Sequence, residues 1–148
     1  MRWLNISYND PEVRRQVEAI CGKPFGLWSA LRRGGTGSPR SLLADGSPTL
    51  LAPFTRQEDR RTLSIEVRQG GLLLRCRHRL ETMGLPLSFA MIEAMRMTDP
   101  SGTGPGTIGF DLAEGHGLVI AVDAGHWTSI VRLLQGALPP NKLSAPLT

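Results

Sequence analysis

The stretch "RRTLSIEVRQGGLLLRCRHR", residues 60–79, carries the clearest structural signal in the chain. Two runs of alternating apolar and polar side chains flank a glycine pair, a pattern typical of a β-hairpin with a two-residue turn at Gly70-Gly71. Because side chains alternate along a strand, counting outward from this turn assigns every residue to a face. The predicted pairs on the apolar face are Val67 with Leu74, Ile65 with Cys76, and Leu63 with His78.

The opposite face of this hairpin is rich in arginine. The same count predicts Glu66 opposite Arg75, Ser64 opposite Arg77 and Thr62 opposite Arg79, with Arg61 and Arg68 near the same surface. The planar guanidinium donates two parallel hydrogen bonds and suits phosphates and carboxylates. A solvated outer face, whose arginine stems cover apolar surface, is the alternative interpretation. The candidate anion-binding residues are Arg61, Arg68, Arg75, Arg77 and Arg79.

The N-terminal third is predicted to be helical. Asn9 or Asp10 can cap a helix that has Pro11 at its first position and ends at Gly22. A second short helix is expected over 25–31, with Leu27, Trp28 and Leu31 as its apolar side. The glycine-rich segment 32–41 is predicted to be a loop, and 49–54, bounded by prolines, a short edge strand.

Segment 85–98, "LPLSFAMIEAMRMT", supports two interpretations. Its alanine, methionine and glutamate favour a helix, with Leu87, Met91 and Met95 on one face. Its alternation at Leu85, Leu87 and Phe89 favours a strand. We expect the helix.

The last third is predicted to be a second hairpin followed by a helix. Ile108, Phe110 and Leu112 alternate, "EGHG" forms a turn, and 118–122 is apolar on both faces, as expected for a central strand. The final helix begins near Asp123 and ends before Pro139-Pro140.

These elements predict an α+β fold: an antiparallel sheet built from two hairpins, with N-terminal, middle and C-terminal helices packed on it. The chain of 148 residues has the length of one domain, predicted over 1–140 with 141–148 as a loose tail. Cys21 and Cys76 form no framework or metal-binding spacing, which favours a reducing compartment. With neither a signal peptide nor an apolar run of about 18 residues, we expect a cytoplasmic protein that does not enter a membrane.

Four polar residues, Glu114, His116, Asp123 and His126, cluster in sequence near the second hairpin and the final helix. A metal site requires several ligands that converge on one point. Turn chemistry and helix capping account for these residues without one. Cys76 and His78 share the apolar face, where a buried thiol is unreactive. We therefore expect no catalytic residue, metal or cofactor, and hold a hydrolase or metal enzyme using His116 and His126 as the last alternative.

Apolar residues provide the remaining signal. Methionines at 83, 91, 95 and 97 crowd one segment, and adaptable thioethers suit a surface that accepts a partner. Core filling is the alternative. The candidate partner-binding residues are Met91, Met95 and Trp127.

The predicted element order, helix, strands, helix, strands, helix, resembles that of the small dimeric chaperones of bacterial type III secretion. That resemblance implies a non-enzymatic interaction module, adaptor-like or chaperone-like, that forms a homodimer. The strands followed by "GHWTSIVRLLQGAL", residues 125–138, are similar in plan to the Whirly single-strand binders. That resemblance implies nucleic-acid or other polyanion binding through Arg75, Arg77 and Arg79, which is the alternative function.

Overall fold

The computed structural model describes residues 1–32, 34–54 and 61–143. Within them the fold is mixed α+β, with an eight-stranded, fully antiparallel sheet and four helices. The strands are Leu4–Asn5 (β1), Ser41–Gly46 (β2), Thr62–Arg68 (β3), Gly71–His78 (β4), Glu81–Ser88 (β5), Ile92–Thr98 (β6), Gly106–Leu112 (β7) and Gly117–Val122 (β8). The helices are Pro11–Cys21 (α1), Leu27–Arg32 (α2), Pro48–Leu51 (α3) and Ala124–Ala137 (α4).

The sheet curls back on itself. Its strand order is β1-β5-β4-β3-β2-β8-β7-β6, so six strand spacings separate β5 from β6. In a flat sheet these spacings would span about 29 Å. The linker between the two strands is the single 3-10 turn Phe89–Met91. A linker of that length reaches at most about 14 Å. The sheet must therefore bend until the end of β5 approaches the start of β6.

The concave face of the curled sheet encloses the main core. Ile65, Leu74 and Leu85 come from one half, and Ile108 and Ile120 from the other, each at most 1% exposed. The final helix, α4, adds its buried face of Ile130, Leu134 and the following Leu138 to the same cluster. Both halves of the sheet and the C-terminal helix thus share one apolar interior.

The first helix, α1, covers part of the outer face. It begins as predicted, with Asp10 accepting a hydrogen bond from the Glu12 backbone N–H and Pro11 in its first turn. Val17 and Cys21 pack against Leu4 and Leu73 in a second, smaller cluster. Leu73 therefore faces outward yet is 1% exposed. This second layer explains why three consecutive leucines, 72–74, are tolerated in β4, since both faces of the strand are covered there.

The first hairpin is present, but its register differs from the prediction by two residues. Arg68 pairs with Gly71 and Val67 with Leu72, so the turn consists of Gln69 and Gly70. A Cβ on Gly71 would overlap the Leu87 carbonyl of β5, so this glycine is required inside the strand by close approach. Because side chains alternate with a period of two, a register shift of two residues leaves every side chain of β3 and β4 on its predicted face.

The predicted middle helix is wrong. Segment 85–98 forms the end of β5, the 3-10 turn Phe89–Met91 and the strand β6. Eight residues of β5 pair with β4, and β6 pairs along its length with β7. The helix propensity of alanine, methionine and glutamate amounts to a few tenths of a kcal/mol per residue, which sheet pairing and burial override. Residues 85–98 therefore do not form the helix that the predicted chaperone-like order places between the two sets of strands.

The second hairpin and the last helix form as predicted, with β8 central between β2 and β7. The predicted edge strand at 49–54 is wrong. Pro48 instead occupies the first position of α3, and a 3-10 turn, Ala52–Phe54, follows. Of the predicted tail, 144–148 lie outside the described residues, whereas Leu143 forms a β-bridge with Met95 and packs against the core.

Candidate functional site

The arginines of the first hairpin do not form one array. Glu66 holds two of them: Arg68 Nε donates to Oε2 at 2.6 Å, and Arg75 Nη2 donates to Oε1 at 2.5 Å. The side chains of Arg68 and Glu66 are 11% and 20% exposed, so this ion-paired cluster is largely desolvated. A carboxylate shared by two guanidinium groups is a structural tie between β3 and β4.

Among the described residues, the other three candidate arginines are not part of this ion-paired cluster. Arg77 is exposed at the end of β4, whereas Arg79 adopts a left-handed φ of 58° in the turn to β5. Arg61, just before β3, is close enough to lower the pKa of the Cys76 thiol, and Cys76 lies on the inner face of β4. The structure thus unites Arg68 and Arg75 on Glu66, keeps Arg77 on the same face of β4, and places Arg61 and Arg79 elsewhere.

The candidate partner-binding residues are occupied by packing. Met95 is fully buried in the main core, where it cannot contact a partner in this conformation. Met91 is half-buried in the 3-10 turn. Trp127 is half-buried against Gly106, at which a Cβ would lie 2.5 Å from the indole ring.

The histidines of the second hairpin region do not meet. His116 lines a depression with Asp45 and Arg96, whereas His126 lines another with Arg40 and Asp123. Over residues 1–32, 34–54 and 61–143, no three His, Cys, Asp or Glu side chains are placed to hold a metal ion.

The inner-face thiol is unsuited to nucleophilic attack. Burial raises the pKa of Cys76 to about 12, and the nearby Arg61 guanidinium offsets only part of that effect. The neighbouring His78 packs edge-on against Phe54, with ring centroids 5.5 Å apart. Cys76 and His78 therefore contribute to the packed interior as the sequence suggested.

The least expected surface is an apolar patch on α2. Leu27, Trp28 and Leu31 were predicted to be the apolar side of this helix, and in the structure they are 73%, 76% and 63% exposed. Their spacing places them on one face of the helix, and α2 has no buried residue. We call these three residues the α2 patch.

The short helix is attached to the core on its N-terminal side and capped at its C-terminal end. Phe25, just before it, packs against the main core. At the other end, Gly34 and Gly35 adopt left-handed φ values of 76° and 104°. Their N–H groups donate to the carbonyls of Leu31 at 3.2 Å and Ala30 at 2.8 Å. The α2 patch is therefore presented on an anchored turn.

The sequence segment that contains the α2 patch carries charge of one sign. Between Glu18 and Asp45 the sequence contains no acidic residue, whereas it contains four basic ones: Lys23, Arg32, Arg33 and Arg40. Among those described, Lys23, Arg32 and Arg40 are exposed. The sequence signal that could have located the patch is this absence of acidic residues beside a short predicted helix. A helix of that length buries little surface.

Comparison with known proteins adds no relationship: no protein-family model, curated protein or solved structure matches this chain. In the described part of the chain, no helix combines the length and apolar character that crossing a membrane requires.

Proposed function

We propose that this chain is a non-enzymatic protein-interaction module whose docking surface is the α2 patch. The observation that carries the proposal is the exposure of Leu27, Trp28 and Leu31 together on one helical face. Exposed apolar side chains that are grouped and rimmed by polar residues mark interaction sites more often than isolated ones do. Tryptophan is also among the residues that dominate binding energy when a partner covers them.

The partner is an acidic protein segment that carries apolar side chains. Segment 19–44 bears four basic and no acidic residues, so an acidic segment gains favourable electrostatics and faster association. Its own leucine, phenylalanine or tryptophan side chains would cover the α2 patch. Charge complementarity and apolar contact together give the module a defined ligand chemistry.

The size of the α2 patch fits a segment better than a second copy of the chain. Three exposed side chains form a patch of a few hundred Å², whereas a standard stable interface takes about 800 Å² from each partner. Two copies that met through this patch would also bring two like-charged segments together, because 19–44 contains four basic residues and no acidic one. A short helical or extended segment of another protein meets neither obstacle.

Polyanion binding through the first hairpin is the weaker alternative. Two of its five candidate arginines are committed to Glu66, and two others lie in a turn or towards the opposite face. Single-strand platforms add stacking aromatic residues to a basic groove. Described residues 61–88 contain no Phe, Tyr or Trp.

The test is selection of ligands from a random peptide library by the purified protein. We expect the selected peptides to be enriched in aspartate or glutamate next to leucine, phenylalanine or tryptophan. They should lose affinity for the triple variant L27S/W28S/L31S by about tenfold or more, because the apolar contacts of a central tryptophan are lost. The matched control is Leu80→Ser, which removes a leucine that is 91% exposed outside the patch.

Three results would overturn the proposal. One is a basic or patternless consensus, and another is equal binding of the peptides to the triple variant. The third is patch-dependent binding to anionic lipid vesicles in place of peptides, since an amphipathic helix rimmed by basic residues also suits a membrane surface. Binding to single-stranded oligonucleotides that survives in the triple variant would favour the arginine alternative.

A further inference from the structure

A pocket of about 310 Å³ lies on the outer face of the sheet, between α1 and the N-terminal segment that precedes it. Leu73 of β4 and Val13 and Val17 of α1 supply an apolar floor, and Tyr8 supplies an exposed aromatic wall. The volume falls at the lower end of the range for small-molecule sites. Sites of that kind are mostly apolar with a few placed polar groups.

The charged groups at this pocket leave one positive charge in excess. Arg14, Arg68 and Arg75 line it, together with the carboxylate of Asp10. Glu66 neutralises only one of the two arginines that it bridges. Three guanidinium groups against the carboxylates of Asp10 and Glu66 leave a net charge of +1.

The two carboxylates are already engaged within the chain. Asp10 accepts from the Glu12 backbone N–H at 2.9 Å as the cap of α1, and both oxygens of Glu66 accept from arginine. Arg75 Nε, by contrast, is buried and has no hydrogen-bond partner among the described residues. A buried donor without an acceptor is costly. The Arg75 side chain as a whole is 40% exposed and lines the pocket, so its guanidinium can donate to an anion bound there.

We propose that this pocket binds a small organic monoanion, a carboxylate with a short apolar chain. The carboxylate accepts from Arg75, with Arg14 at the rim, while the chain covers Val13 and the ring of Tyr8. A single negative charge matches the excess of +1, whereas a phosphate dianion would remain undercompensated. The site is separate in composition from the α2 patch and does not depend on the proposed docking function.

The test is an NMR titration of the protein with sodium hexanoate, and with hexanol and inorganic phosphate as comparison ligands. We expect saturable binding of hexanoate, with shift changes at Val13 and Leu73. Hexanol and phosphate should each bind at least about tenfold more weakly than hexanoate. Hexanol lacks the charge-assisted hydrogen bond, and phosphate lacks the apolar chain. The L27S/W28S/L31S variant should bind hexanoate as well as the wild type does.

Variants decide whether the arginine cluster carries the binding. Arg75→Met should weaken hexanoate binding about tenfold, whereas the matched control Arg77→Met, an exposed arginine on the same strand, should leave it unchanged. If a thermal melt shows Arg75→Met to be unfolded, the exposed rim residue Arg14 replaces it as the test. Arg14→Met should weaken hexanoate binding about two- to fivefold. Equal affinity for hexanol, unchanged affinity in the deciding variant, or absence of saturable binding would overturn the proposal.

Discussion

Glu66 Oε1 accepts a hydrogen bond from Arg75 Nη2 at 2.5 Å, although the residue directly opposite Glu66 across the hairpin is Leu73. The pair is diagonal because the turn lies one residue before its predicted position, which shifts the register of the two strands by two residues. Arg68 reaches the other carboxylate oxygen from the same strand. The arginine-rich face that the hairpin pattern predicts is therefore partly occupied by ion pairs with Glu66.

Removing the shared carboxylate should destabilise the protein. Glu66→Gln leaves the largely buried Arg68 without its counter-charge, and we expect a loss of about 1–3 kcal/mol in the free energy of unfolding. Guanidinium-chloride unfolding followed by circular dichroism measures it. The control, Glu93→Gln, alters an exposed glutamate on β6 and should shift the midpoint little. Equal effects of the two substitutions would show that the cluster contributes nothing specific.

The glycine at the start of β4 should be intolerant of a methyl group. Gly71→Ala places a Cβ against the Leu87 carbonyl, and either β4 or β5 must move. We expect a destabilisation of about 1–3 kcal/mol, typical of overpacking. Gly109→Ala on β7 is the matched control, because its nearest contact would be the Arg96 carbonyl at 3.9 Å. Denaturant midpoints compare them, and a tolerated Gly71→Ala would contradict the β4–β5 register.

Stability at alkaline pH should depend on Cys76. Burial raises the pKa of this thiol from 9.0 to about 12, so the unfolded chain releases the proton at a lower pH than the folded chain does. The stabilisation is complete below pH 9 and is lost as the pH rises towards 12. The free energy of unfolding should therefore fall more steeply over that window in the wild type than in Cys76→Ala. Parallel profiles would contradict a buried thiol.

The α2 patch should be dispensable for folding. Its residues are exposed, so Leu27→Ser, Trp28→Ser and Leu31→Ser should each change the free energy of unfolding by no more than about 0.5 kcal/mol. Leu50→Ser, at a leucine that is 1% exposed, should destabilise strongly. Thermal melts of the four variants measure the contrast. A large loss in Trp28→Ser would show that this side chain packs within the fold, which would remove the basis of the docking proposal.

Local signals predicted much of the fold. Asp10, Pro11 and Gly22 bound α1 as capping chemistry requires, and the alternation at 108–112 marks β7. The two strands in 85–98 were not predicted because their residues have helix propensity. Their strand conformation comes from pairing with β4 and β7, which no local pattern indicates. Pro86 fits β5 because β1 pairs only with Met83 and Gly84.

The candidate site was less predictable than the fold. Periodicity places Leu27, Trp28 and Leu31 on one face of a helix, but it does not state whether another element covers that face. Likewise, the hairpin pattern placed Arg68 and Arg75 on the outer face without indicating that Glu66 would bind both. Exposure and ion pairing arise from tertiary placement, and the acid-free segment around α2 was the one signal that sequence offered.

The most direct test of the docking proposal is NMR mapping of a peptide selected for binding. Titration of the labelled protein with an acidic, apolar peptide should produce its largest shift changes at Leu27, Trp28 and Leu31. Those changes should be absent in the triple serine variant, whereas Leu80→Ser should reproduce the wild-type map. Largest changes at Arg75 and Arg77, or a map that the triple substitution leaves intact, would contradict the assignment of the α2 patch as the docking surface.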